Sequence, residues 1–248
     1  MTLRQFFEEY PKVAVAFSGG VDSAFLLYAA KESGADVNAY YVKTPFQPEF
    51  EYRDAENLAE QLQVKLTTLP VDVLADPQIT ANPGNRCYFC KGRIFTAILE
   101  QAKKDGYPVI LDGTNTSDCP TDRPGMQALT ELGVLSPLRL CGLTKQEIRR
   151  LSKEAGLFTH DKPAYACLAT RIPKGMPITR ELLEKTERNE GYMMTLGFRD
   201  FRIRITETGA KLEIKKEQFS LLEQYRQEIF ERLNQDYGSV LPDPEVRE

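Results

Sequence analysis

Between residues 13 and 155, apolar runs of strand length alternate with stretches whose apolar residues recur at helical spacing. That alternation predicts an α/β fold, with a parallel sheet covered by helices on both faces. Strands are expected at 13–17, 37–42, 64–71 and 109–111, the third interrupted by Pro70. Helices are expected at about 22–33, 49–63, 93–104, 124–132 and 145–155. In such sheets, ligands bind beyond the carboxyl ends of the strands. Two turns fall at such ends: Ser18-Gly19-Gly20-Val21-Asp22-Ser23 and Asp112-Gly113-Thr114-Asn115.

The first of these turns joins a buried strand to a helix start. Its glycines let the backbone turn tightly and approach a ligand closely. Amide groups at the helix N-terminus favour an anion. Ser18 and Ser23 add hydroxyls, and Asp22 suits a helix cap or a magnesium contact. No Gly-Lys-[Ser/Thr] follows, so this is not a Walker A loop.

Residues 161–179, DKPAYACLATRIPKGMPIT, hold three prolines and a glycine and read as a loop or linker. After it come a helix at 180–196, strands at 201–205 and 211–214, and a helix at 216–233, which together read as a small α+β domain. The expected organisation is therefore a domain at 1–160, a cysteine-bearing linker at 161–179 and a second domain at 180–248, with a frayed tail from 241.

The net charge of −4 gives no global basic field, so no nucleic-acid partner is expected. No apolar run reaches membrane-spanning length, and the acidic, amphipathic N-terminus is no signal peptide, so the expected place is the cytoplasm. In a reducing compartment, five cysteines favour thiol, metal or catalytic roles over disulfides. Cys87 and Cys90, in NPGNRCYFCKGRIF, open a helical pattern. Two thiolates at this spacing can hold a metal or cluster, form a redox disulfide, or pack as two buried side chains. His160 is the single histidine, so a third ligand would come from afar, and Cys167 is the candidate. Three cysteines on a cubane cluster leave one iron open to an exogenous sulfide.

SGGVDS after a first strand resembles the signature of the PP-loop ATP pyrophosphatase superfamily, which binds ATP and splits it between the α and β phosphates. The resemblance implies that Ser18, Gly19, Gly20, Asp22 and Ser23 grip the pyrophosphate with Mg2+. It also implies that the second strand's end, around Val42, meets the adenine and that Gly113, Thr114 and Asn115 line the pocket opposite. NPGNRCYFCK, LDGTNTSD, DRPGMQALTELGVLSPL, DKPAYACLATR and FRIRITETGAKLEI, in this order, resemble the LarE-type sulfur transferases of nickel-pincer nucleotide cofactor synthesis. The family loop has Pro-Cys-Leu-Ala-Ser-Arg where this chain has Ala-Cys-Leu-Ala-Thr-Arg, and Thr170 keeps the hydroxyl.

That resemblance implies an ATP-dependent enzyme that adenylylates a carboxylate of a pyridinium mononucleotide and converts it to a thiocarboxylate. Cys167 matches the family's sacrificial cysteine. Cys87 and Cys90, which the single-cysteine form lacks, favour a [4Fe–4S] cluster on Cys87, Cys90 and Cys167, supplied by sulfide or a persulfide donor. A homo-oligomer is also implied. Arg171 stands just after the cysteine and is expected either to meet charge near the reacting centre or to lie at the surface. Arg202 and Arg204 either clamp a substrate phosphate or form the solvated face of a strand. Glu190 faces the same site or is a solvated charge. Arg123 meets ATP phosphates or caps its loop. Cys119 and Cys141 are expected to be inert thiols, and His160 structural or exposed. The competing readings are a PP-loop tRNA thiolase, an amide ligase that would not need Cys87, and a scaffold that binds ATP without releasing pyrophosphate.

Overall fold

The structure, a computed structural model, describes residues 1–118 and 124–243. Cys119 and Arg123 lie outside the described residues. In chain order the elements are α1 Leu3–Glu9, β1 Lys12–Ala16, α2 Val21–Glu32, β2 Asp36–Lys43, α3 Glu49–Gln61, β3 Leu66–Pro70, α4 Pro77–Thr80, α5 Arg86–Lys104 and β4 Val109–Leu111. They continue with α6 Pro124–Glu131, α7 Pro137–Leu140, α8 Lys145–Glu154, α9 Arg180–Thr195, β5 Arg202–Thr206, β6 Gly209–Glu213, α10 Phe219–Tyr237 and β7 Val240–Pro242. The chain divides into two compact units, one of Met1–Val73 with Asn85–Lys162, the other of Leu74–Gly84 with Pro163–Glu248.

The first unit is built on a parallel sheet of order β3-β2-β1-β4. Alternation along its strands sends side chains to two cores. Val13, Val15, Ala39 and Tyr41 pack on one face with Phe25, Leu26 and Ala55 from α2 and α3. Ala14, Tyr40, Val42 and Ile110 pack on the other with Phe95, Ile98 and Leu129 from α5 and α6. The sheet is thus covered on both faces, as the alternation of segments predicts. Pro70 sits at the end of edge strand β3, where a missing N–H breaks no central ladder.

Strand order also fixes where a ligand can bind. From β1 the chain runs to β2 and β3 on one side, then returns with β4 on the other side of β1. Between β1 and β4 lies the topological switch point, and the register pairs Val15 with Leu111. The turns that follow these two strands therefore emerge side by side.

The second unit holds an antiparallel β5–β6 pair, extended by β7 running parallel to β6. Phe198, Phe201, Ile203, Leu212, Leu222 and Ile229 form its core with α9 and α10. Val240–Pro242 is a strand where the sequence suggested the start of a frayed tail. Ordering comes from the β6 ladder and from Val240 N–H donating to Asn234 Oδ1 at 2.8 Å. Residues 74–84 join this unit through Asn82, whose Nδ2 donates to the carbonyls of Pro173 (2.7 Å) and Met176 (3.1 Å). Among the described residues, no helix is long and apolar enough to cross a membrane.

Candidate functional site

In the first unit, the turn after β1 closes on itself. Ser23 Oγ accepts from Ser18 N–H at 3.2 Å, donates to Gly20 carbonyl at 3.2 Å and lies 3.1 Å from Ser18 Oγ. Gly20 caps α2 in extended conformation without a side-chain cap bond. The first amides of a helix have no partner within it, so α2 presents donors and positive dipole at this end. Gly19 has φ +72°, and a Cβ there would stand 3.0 Å from Glu51 carbonyl and 3.2 Å from Ala55 Cβ of α3. Only glycine suits both the left-handed backbone and that close approach.

The turn after β4 docks on the same helix start. A Cβ on Gly113 would lie 2.9 Å from Ser23 N and 3.2 Å from Asp22 Cβ. Asn115 Nδ2 donates to Asp22 Oδ1 at 3.3 Å. Asp112 accepts from Thr114 Oγ1 and, at 2.6 Å, from Ser136 Oγ. Arg139 of α7 donates to the carbonyls of Asn115 (3.1 Å) and Asp118. The structure therefore brings Ser18, Gly19, Gly20, Asp22, Ser23, Gly113, Thr114 and Asn115 together. Val42 is buried in the core beneath α5, at the carboxyl end of β2.

Two cations complete this end of the unit, and neither was singled out from sequence. Lys145 Nζ lies 2.5 Å from Asp22 Oδ2. It is the first residue of α8, which a capping box between Thr144 and Glu147 fixes in place. The Thr-x-x-Glu spacing was the signal that could have found it. Lys162 Nζ donates to Gly19 carbonyl at 3.2 Å and pairs with Asp54 at 2.7 Å.

Cys87 is an exposed thiol and Cys90 a half-buried one, one turn apart at the start of α5. Cys141, also half-buried, packs against the core of the first unit, and burial pushes its thiol pKa up. Among the described residues, no group of three or more His, Cys, Asp or Glu side chains is gathered to hold a metal ion. His160 Nδ1 lies 3.0 Å from Leu157 carbonyl, a local structural contact.

Cys167 belongs to the second unit and is half-buried just before the helical turn Leu168–Arg171. Its carbonyl accepts from Thr170 N–H at 2.9 Å and Thr170 Oγ1 at 2.8 Å. Arg171 forms a bidentate pair with Glu190, both bonds 2.8 Å, and both side chains are at most 1% exposed. Its remaining nitrogen donates to Ala166 carbonyl at 2.8 Å and Thr170 Oγ1 at 2.9 Å. Bonded in this way to Glu190 and to the backbone beside Cys167, Arg171 holds the cysteine loop and is not the surface residue that was one of its two expected readings. Glu190 likewise is no solvated charge, for it also accepts from Tyr165 hydroxyl at 2.5 Å and Ile203 N–H at 2.9 Å.

Arg202 and Arg204 do not form the expected pair on one open face. Arg202 is buried, stacks on Tyr165 at 5.1 Å and donates to Phe201 and Ala164 carbonyls. Arg204, half-exposed, pairs with Glu213 and donates to Thr170 carbonyl at 2.9 Å. Three arginines thus hold backbone carbonyls on both sides of Cys167. Tyr165 lies between Arg171 and Arg202, and burial, helped by the Glu190 charge, raises its phenol pKa far above the ordinary value.

The family described as queuosine biosynthesis protein QueC matches residues 12–82. An uncharacterized protein of Synechocystis is 36% identical over 92% of this chain and 84% of its own length. Pyridinium-3,5-bisthiocarboxylic acid mononucleotide synthase of Lactiplantibacillus plantarum is 30% identical over 86% of this chain and 78% of its own length. A tRNA-specific 2-thiouridylase of Clostridium perfringens is 26% identical over 61% of this chain and 53% of its own length.

Proposed function

The chain belongs to the PP-loop, LarE-type family of pyridinium-3,5-bisthiocarboxylic acid mononucleotide synthase, an ATP-dependent sulfur transferase, and on that premise we propose that it acts on a carboxylate of a pyridinium mononucleotide. The carboxylate oxygen attacks the α-phosphorus of ATP and pyrophosphate leaves. A sulfur nucleophile then adds to the activated carbonyl carbon and AMP departs, leaving a thiocarboxylate.

The observation that carries this reading is the pairing of the SGGVDS and DGTN turns at the switch point of the sheet. There the α2 N-terminus offers amides to a pyrophosphate, Asp22 offers a carboxylate to Mg2+, and Lys145 sits beside it. In the second unit, Cys167 is the sulfur-bearing residue, and Arg204 keeps enough exposure to meet a substrate phosphate.

In this reading sulfur is delivered through Cys167, and Cys87 and Cys90 are the two further candidate thiols for cluster binding. Their donor chemistry fits a [4Fe–4S] cluster: all three carry thiols, none is fully buried, and Cys87 and Cys90 stand one turn apart. Such a cluster, when bound, would supply an open iron for a labile sulfur. Incubation with ATP and the pyridinium dicarboxylate mononucleotide should release pyrophosphate and exchange one substrate oxygen for sulfur. Iron and sulfide analysis after anaerobic purification, with mass spectrometry of Cys167, separates two sulfur sources. Iron-free protein that loses hydrogen sulfide from Cys167 on turnover would replace the cluster with the sacrificial form. Pyrophosphate release that requires tRNA would sink the carboxylate reading.

A further inference from the structure

The mechanism above leaves one cation beside the nucleotide loop unused. Lys162 ends the first unit, and its ammonium reaches three acceptors: Gly19 carbonyl at 3.2 Å, Asp54 Oδ2 at 2.7 Å and Glu51 Oε1 at 3.6 Å. It also lies 5.6 Å from the Phe50 ring centroid, and its side chain is 14% exposed. Arg149 fixes the backbone beneath it by donating to the carbonyls of His160 (2.7 Å) and Lys162 (2.8 Å). The lysine is therefore held at both its ends.

Two consequences follow for the loop. A peptide unit is planar and trans, so its C=O and N–H point in opposite directions. A donor that holds Gly19 carbonyl toward α3 therefore turns Gly20 N–H away from α3, toward Ser18 Oγ, which it meets at 3.4 Å. Gly19 has φ +72°, a region glycine enters and leaves readily, so without that donor the peptide is easily reoriented. The second consequence is electrostatic. Glu51, Asp54 and Gly19 carbonyl place two carboxylates and a carbonyl dipole next to a loop that has to receive a polyanion. The Lys162 ammonium offsets part of that negative charge.

We propose that Lys162 is a positioning residue for the pyrophosphate of ATP: it sets the Gly19–Gly20 peptide in its anion-binding orientation and offsets part of the charge of Glu51 and Asp54 behind it. The inference rests on the PP-loop reading of the site and adds a residue to it.

The test compares the full-length wild type with Lys162→Met and Lys162→Arg, using α,β-methylene-ATP with Mg2+ and adenosine as ligands. Lys162→Met should weaken the triphosphate analogue by about tenfold or more, the scale of a hydrogen bond to a charged group, and leave adenosine affinity within about twofold. Lys162→Arg should recover much of the loss. Adding Asp54→Asn to Lys162→Met should also recover part of it, because one unbalanced carboxylate is removed. Equal binding of the analogue by wild type and Lys162→Met would overturn the proposal, as would a parallel loss of adenosine binding. A wild type that binds no triphosphate would bring down the PP-loop reading itself, and this proposal with it.

Discussion

A guanidinium with no solvent exposure is stable only while its partner remains. Arg171 and Glu190 are such a pair, at 0% and 1%. Removing one member of a buried pair leaves the other uncompensated and costs about 3–5 kcal/mol. Glu190→Ala should therefore lower the unfolding free energy by about that amount in urea titration, and Tyr165→Phe, which keeps the ion pair, by clearly less. The same geometry separates the thiols by reactivity. Cys87 is exposed, whereas Cys141 is half-buried with its pKa raised by burial. Thiolate is the nucleophile, so iodoacetamide at pH 8 should label Cys87 well before Cys141, as read by peptide mass mapping. Faster labelling of Cys141 would contradict its place in the core. At the nucleotide turns, Gly113→Ala puts a methyl 2.9 Å from Ser23 N. It should weaken ATP binding about tenfold through the displaced α2 start, alongside a stability loss of about 1–3 kcal/mol from the clash.

Between elements, α9 and α10 are joined by carboxylates of α10, Glu228 accepting from Tyr192 hydroxyl at 2.6 Å and Asp236 from two donors. Asp236 accepts from Arg188 Nη2 at 2.9 Å and Asn189 Nδ2 at 2.6 Å. Burial pulls its pKa up, but those two partners outweigh burial and hold it below the ordinary 3.8. A depressed carboxylate adds stability that is complete above its unfolded value and is lost as pH falls through the folded one. Wild type should thus be more stable than Asp236→Asn at pH 6, and the gap should close below about pH 3.8. A gap that persists unchanged at pH 2 would show that charge is not the cause. Element type was legible wherever periodicity ran long: β1, β2, α2, α3, α6 and α8 lie where the apolar spacing put them, whereas the short α1 and α7 were not expected. β7 was not, because three residues carry no period and gain their order from the β6 ladder. Nor did any local pattern mark Leu74–Gly84 for the second unit, since Asn82 finds its acceptors 91 and 94 residues away. The glycine turns of the site were readable as contiguous strings. Lys145 and Lys162 were not singled out, because their partners Asp22 and Gly19 lie 123 and 143 positions away.

For the whole molecule, the candidate nucleotide groups all belong to the first unit, and the thiol loop of Cys167 to the second. The arrangement gives ATP binding a local thermodynamic signature. A ligand that binds only the folded protein adds RT ln(1 + [L]/Kd), about 2.7 kcal/mol at a hundredfold excess over Kd. Protection of backbone amides is concentrated where the ligand contacts the chain and where opening would release it. Saturation with Mg2+ and α,β-methylene-ATP should slow hydrogen exchange in Val21–Glu32 and in residues 112–115, because amides there meet the phosphates or lock the turn that does. Exchange in Phe219–Tyr237 should stay within error of the unliganded rate, since that helix packs in the core of the second unit. Protection confined to the second unit would move the nucleotide site off the β1–β4 switch point, and the assignment of SGGVDS to the pyrophosphate would fail with it.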